Sequence, residues 1–414
     1  WAAAARYGTG ELDALVRVGA LVPREAHELG EAQEMLWRIR HLLHLHAGRR
    51  SDRLTFDEQE QIAPLLGYGG SIEGVERFMS AYYRAARVVT RGVTMMLARA
   101  THATDRKKPK DEDLGGGVGA FDGAITVKDV ERLRAEPSLA FRAISVALER
   151  EAPLLPYFRD LVMSLASDAA FGERLREDAE AKRLFVELVA SRRQGRFVKG
   201  GAPSSALKEV HELGLLTAMI PEFLPVVGRV HHDLYHVYTV DVHSVAAVDR
   251  LAALARGELA TEQPLASRLA AEVSRPAMLA FATLLHDVGK AIGGKDHSVR
   301  GAEMSRDILG RLELRPDEIE AARVLIHEHL TMYRLATRRD VDDPTTVSEM
   351  LASVRGKEGL RDLFLLTVAD VSTTSPTSMT SWKAHMLDEL FLAADRALSG
   401  AGNDEEAGAR ALAA

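Results

Sequence analysis

The stretch FATLLHDVGKAIGGKDHSVRG, Phe281 to Gly301, decides how the rest of the chain is read. It sets His286 and Asp287 side by side inside an apolar run, with Lys290 three positions on and His297 after a glycine break. Pro276 suits a first helical turn, and Gly293 with Gly294 a left-handed stop. The spacing therefore predicts one buried helix with His286 and Asp287 in its C-terminal half. A lone buried histidine is ordinarily a packing residue. The adjacent carboxylate changes that reading, because burying its charge is costly unless it is paired or holds a metal.

Two further stretches repeat the pattern. In RDLFLLTVADVSTTS, Leu363, Phe364, Leu365, Leu366 and Val368 make a helix apolar nearly all round, and Asp370 follows them. In YHVYTVDVHSVAAVDRLAAL, His243 shares a helix with Val242, Val245, Ala246 and Val248. Three helices thus each offer His or Asp from apolar surroundings, which is how a metal centre is built in the core of a helical bundle. The set His243, His286, Asp287 and Asp370 has the mixed nitrogen and oxygen donors that suit Mn, Fe, Zn or Mg.

The bulk composition agrees with a helical globular chain. Its 414 residues are 46% apolar and 27% charged, enough for two or three helical units. A net charge of −7 with both signs dispersed gives no basic face for nucleic acid, and no apolar run reaches the roughly 18 residues that cross a bilayer. Cysteine is absent, so disulfides, thiol catalysis and thiolate metal sites are excluded, which fits a reducing cytoplasm. The chain opens on Trp1 rather than methionine, as part of a longer protein would.

Helical spacing continues elsewhere. Leu36, Ile39, Leu42 and Leu43 share a face, Thr55 and Glu58 form a capping-box pattern, and Tyr82 and Tyr83 are read as core packing. Residues 102–120 combine a charge run with a glycine cluster and read as a linker loop. No strand alternation is evident. The expected segments are a helical region over 1–101, the linker 102–120, a helical connecting region over 121–230, the metal-binding region 231–399, and a frayed tail 400–414.

The order His, His-Asp, Asp, with gaps of 43 and 83 residues and the form HDVGK, resembles the HD-domain metal-dependent phosphohydrolase superfamily. That resemblance implies an all-α fold, a helical-bundle region followed by an HD-domain helical metallohydrolase. It implies further that His297 and His329 hold a second ion. His327 and His329 lie about 200° apart on a helix, so one of them faces the site. Lys290 follows Asp287 by three residues and can point at a bound phosphate. HEHLT carries Thr331 where a zinc protease motif needs its second histidine.

A narrower resemblance spans nearly the whole chain. HDLYHVYTVDVHS, GGKDHSVRGAE, ATRRDVDDP, LLTVADV and SWKAHMLDEL are similar to the bacterial family of bifunctional uridylyltransferase/uridylyl-removing enzymes of the PII system. Upstream, LWRIRHLLHLHAGRRSDRLTFDEQEQIAPLLGY, VERFMSAYYRAARVV and LKEVHELGLLTAMIPEF are similar to the same family in the same order. The nucleotidyltransferase segment that precedes this region in the family and the ACT domains that follow it have no counterpart here. The resemblance implies hydrolysis of a phosphodiester joining UMP to a tyrosine of PII, with UMP as product and Mg or Mn as cofactor. Asp287 and Lys290 are then the catalytic pair, and Arg338, Arg339 and Lys383 join Lys290 in contacting phosphate or substrate. Trp382 reads as core. His232 and His236, at helical i, i+4 spacing beside His231, read as packing, and His41, His44 and His46 as structure or docking surface. Two other readings stay open: an HD hydrolase of free or signalling nucleotides, and a regulatory module that binds metal or nucleotide without turnover.

Overall fold

A computed structural model describes residues 2–101, 110–195, 204–230, 238–292, 296–341, 343–375 and 377–400. His231, His232 and His236, the glycine stop at 293–294, and residues 401–414 of the expected tail lie outside them. The fold is all-α apart from two small antiparallel sheets. Among the described residues no helix is long and apolar enough to cross a membrane. The described residues divide into two compact units. One holds residues up to 110 with 227–230 and 238–240, and the other holds the rest.

In the first unit, Pro23 opens a helix that runs to Ala47 and ends where Gly48 turns left-handed. Its Ile39 and Leu43 pack with Ile62, Ala63, Val75, Phe78 and Met79, and Tyr82 and Tyr83 close over that cluster. The backbone N–H of Thr55 donates to the Glu58 carboxylate at 2.9 Å, fixing the start of the helix Phe56–Leu65. Glu25 and Arg99 form a largely buried pair at 2.9 Å that holds the Pro23 helix against the end of the helix Ile72–Thr101.

The second unit begins with strands β1 (Asp111–Gly115), β2 (Val118–Phe121) and β3 (Ala124–Val127) in an antiparallel meander. This corrects the linker expectation for 111–120. Gly115, Gly116 and Gly117 all have positive φ, so the glycine cluster is the β1–β2 turn rather than slack chain. Val118, Ala120, Ile125 and Val127 give the sheet its buried face. Of the expected connecting region 121–230, the described residues up to 226 lie in the same unit as those of the metal-binding region from 241 on, so the two are not separate there. Phe141, Phe185 and Phe281 stack at centroid distances of 5.6 and 5.8 Å, all fully buried. This aromatic column ties the upstream helices Ser138–Glu149 and Ala179–Val189 to the helix Pro276–Leu285 that leads into His286.

The helix Gly356–Thr374 is buried almost all round, as its apolar run predicts, and Phe364 stacks on Phe391 of the helix Ser381–Leu398. Trp382 departs from its expected core position and is 55% exposed. The buried face of its helix is set by Leu387, Leu390, Phe391 and Ala394, and five residues of helix place Trp382 about 140° away from Leu387.

Candidate metal centre

The helix Pro276–Leu285 stops one residue before His286, and the chain continues as a 3₁₀ turn over Val288–Ile292. His286 and Asp287 therefore sit at a junction between two helix types, not inside one helix as the apolar pattern predicts. The junction has a chemical use. The Thr283 carbonyl lies in the last turn, where carbonyls lack an intrahelical partner, and it accepts a hydrogen bond from His286 Nδ1 at 2.7 Å. His329 repeats the device at the end of the helix Pro316–Glu328, donating from Nδ1 to the Ile326 carbonyl at 2.7 Å. With Nδ1–H committed, each neutral ring presents the bare Nε2 lone pair to the interior.

Six side chains converge on that interior. His243 comes from the helix Val240–Ala255, Asp370 from Gly356–Thr374, His297 from the start of the helix His297–Arg311, and His286, Asp287 and His329 from the two helix ends. His243, His286, Asp287 and His329 are all buried. The ligand atoms fall into two groups, His243 with His286 and Asp370, and Asp287 with His297 and His329, each within 4.8 Å of one another. His243 Nε2 lies 3.3 Å from His286 Nε2, and Asp370 Oδ1 lies 3.0 and 3.7 Å from the same two nitrogens. Asp287 faces both groups, with Oδ2 3.4 Å from His286 Nε2 and Oδ1 3.4 Å from His297 Nε2. Electron pairs packed this closely repel unless a proton or a metal cation sits among them. The donor set, two imidazoles and one carboxylate in each group, fits a divalent metal.

The helix Val240–Ala255, the His286–Asp287 junction and Asp370 lie within residues 240–371, which match the family described as HD domain. The chain carries an HD domain. Residues 1–97 match the family described as GlnD PII-uridylyltransferase. Over 100% of its length the chain is 35% identical to a bifunctional uridylyltransferase/uridylyl-removing enzyme of Azospirillum brasilense. It is 34% and 35% identical over 96% of its length to enzymes of that name from Ruegeria pomeroyi and Azotobacter vinelandii. In each case the chain spans 44% of the relative's length. The family resemblance read from the sequence is met, and the chain is a relative of part of these enzymes.

Charge inside the HD domain is arranged around these six side chains. Burial opposes charge on His286, but the carboxylates of Asp287 and Asp370 outweigh it and raise its pKa to about 9. Burial also opposes ionisation of Asp287, and the ammonium of Lys290 with His286 holds it well below the usual range all the same. Asp370 is likewise held low against burial by His286 and His243. His329 goes the other way, driven down to about 4 by burial and by the charge on His286. A proton on His286 thus competes with a metal for the same lone pair. Below pH 9 each unit of falling pH should weaken cation binding about tenfold, so affinity for Mn²⁺ should rise about 100-fold from pH 6 to pH 8. Calorimetry in two buffers of different ionisation enthalpy should show about one proton released per cation at pH 7; an affinity flat with pH would refute the competition.

The remaining sequence candidates are placed as follows. Lys290 lies in the 3₁₀ turn, where residues three apart eclipse, and its Nζ donates to Asp287 Oδ2 at 2.7 Å. His327 is exposed and bonded to Glu328, and His329 is the histidine that turns inward, a choice the angular spacing left open and the family resemblance favoured. Arg338 and Arg339 end the helix Thr331–Arg338 at the surface. Lys383 donates to the Ser378 carbonyl at 2.9 Å and lies over the Tyr333 ring.

Sequence reading missed a largely buried pair close to the centre. His211 Nε2 lies 2.8 Å from Asp241 Oδ2, the aspartate buried and the histidine partly so, and ties the helix Ala206–Glu212 to the first turn of the His243 helix. Asp241 stands two residues before His243 in TVDVHS, an acid in an apolar frame like Asp370 in TVAD, and that likeness is the signal by which it was detectable.

Proposed function

We propose that the HD domain is a metal-dependent phosphodiesterase that releases UMP from the uridylylated PII protein. The observation that carries this reading is the convergence of four imidazoles and two carboxylates in a chain similar along its whole length to enzymes named for uridylyl removal. His243, His286 and Asp370 would hold one divalent cation, and Asp287, His297 and His329 a second. The two imidazoles in each group favour Mn²⁺ over Mg²⁺, with Fe²⁺ and Zn²⁺ also suited. When bound, such cations supply Lewis acidity to a phosphoryl oxygen and a hydroxide-like nucleophile at neutral pH.

The chain's own residues then have separable tasks. Asp287 directs one carboxylate oxygen toward each ligand group and holds them in a common frame. Lys290, largely buried beside it, contributes positive charge where the phosphate gathers negative charge. Arg338, Arg339 and Lys383 form an outer set for the nucleotide or for PII. The buried apolar residues before His286, Met278 to Leu285, keep the ligands from relaxing outward. In this reading the reaction runs in the cytoplasm.

The test is release of UMP from uridylylated PII by this chain with Mn²⁺, in competition with free nucleotides including guanosine tetraphosphate. Turnover of uridylylated PII that a hundredfold excess of free nucleotide leaves largely intact is expected. Equal or preferred hydrolysis of the free nucleotide would give the site to a nucleotide hydrolase, and cation binding without turnover of either would make it a regulatory module.

A further inference from the structure

Two of the three buried histidine ligands have their Nδ1–H fixed by a backbone carbonyl, Thr283 for His286 and Ile326 for His329. The third, His243, meets a side chain instead. Thr373 Oγ1 lies 3.3 Å from His243 Nδ1. The same oxygen is 2.8 Å from the Ala369 carbonyl and 3.2 Å from the Asp370 carbonyl. A hydroxyl has one proton, and a carbonyl can only accept, so that proton goes to the helix backbone. The lone pair left on Oγ1 can only accept, and the hydrogen between it and His243 must belong to the imidazole.

We infer that Thr373 is a positioning residue for the metal centre: its hydroxyl, oriented by its own helix, accepts from His243 Nδ1–H and so presents Nε2 as a cation ligand. The inference rests on the reading of His243 as a ligand. It makes the Asp370 helix serve twice within one turn. Asp370 supplies a donor atom, and Thr373, three residues later on the same face, sets the tautomer of the histidine that shares that donor's group. Because this partner is a side-chain hydroxyl rather than a backbone carbonyl, a single side-chain substitution can weaken the hold on His243.

Thr373→Val keeps shape and volume but removes the acceptor, and Thr373→Ser restores it. Thr374→Val is the control for helix effects, since Thr374 Oγ1 also bonds the Asp370 carbonyl, at 3.1 Å. Mn²⁺ affinity of the full chain, measured by calorimetry alongside thermal unfolding of each variant, is the readout. Thr373→Val should bind Mn²⁺ about 10- to 100-fold more weakly, with Thr373→Ser and Thr374→Val within about threefold of the parent chain. Parent-like affinity in a folded Thr373→Val, or a loss as large in Thr373→Ser or Thr374→Val, would overturn the inference while leaving the metal centre standing. No Mn²⁺ bound by the folded parent chain would overturn the metal centre itself. Should Thr373→Val fail to fold, the Thr373→Ser and Thr373→Ala pair reads the same contrast.

Discussion

Asp287→Asn is expected to lower the proposed phosphodiester hydrolysis by about 10³-fold or more while the chain remains folded. The substitution keeps the shape of the side chain and removes its charge. Oδ2 now pairs with Lys290 at 2.7 Å and faces His286, and Oδ1 faces His297 and His329. A neutral amide cannot hold both ligand groups, and a position bearing directly on the reacting phosphate commonly carries a factor of 10² to 10⁴ or beyond. Stability pays a smaller toll. In Asp287→Asn the amide oxygen can still accept from Lys290, whereas truncation to alanine would leave that largely buried cation beside a void without its partner and cost about 3–5 kcal/mol. The measurement is the rate of UMP release at saturating Mn²⁺ beside a denaturation curve. A variant retaining a tenth of the parent rate would remove Asp287 from the mechanism.

Gly289→Ala is the second large effect, and it acts through backbone rather than charge. A Cβ on Gly289 would lie 2.6 Å from the Gly301 amide nitrogen and closer still to the His297 carbonyl oxygen. Both are main-chain atoms of one rigid helix, so no side-chain rotation relieves the clash, and either the 3₁₀ turn or the His297 helix must move. The expected cost is about 3 kcal/mol or more, at the upper end for overpacking. Since that contact sets His297 against Asp287, Mn²⁺ binding by the group of Asp287, His297 and His329 should be lost with it. Gly301→Ala makes a useful contrast. Its Cβ meets the Ile326 side chain at 3.2 Å, which can shift by a few tenths of an ångström, and a milder loss is expected. Urea denaturation and bound Mn²⁺ per chain report both effects. Parent values for Gly289→Ala would refute this account of the glycine in HDVGK.

The ligand residues were legible in the sequence because burying charge is expensive. His243, His286, Asp287 and Asp370 each stand in an apolar stretch of sequence, and such an arrangement needs a reason that local pattern alone can raise. The helix end at Leu285 was not legible, because an apolar run reads alike whether the helix continues or stops in it. The hairpin over 111–127 was hidden for a related reason. β1 lies at the surface with charged residues along it, so it carries no apolar stripe, and its glycine turn resembles slack chain. How six ligands divide into two groups depends on where individual carboxylate oxygens point, which spacing does not encode. Thr373 was invisible because threonine in a helix is ordinary until its neighbour across the bundle is known.

The five segments that supply the six ligands run from His243 to Asp370, and no two ligands except His286 and Asp287 are sequence neighbours. Partly folded chains therefore hold at most a fragment of the centre, and their affinity for a divalent cation is correspondingly poor. Linkage then makes the cation a selective stabiliser of the finished fold, contributing about 2.7 kcal/mol at a free concentration one hundred times its Kd. Closing such distant loops is slow compared with forming the local helices, so metal capture comes last in folding. With the cation bound as proposed, molecules that finish folding without it would stay closer to unfolding and be the more readily exposed to proteases.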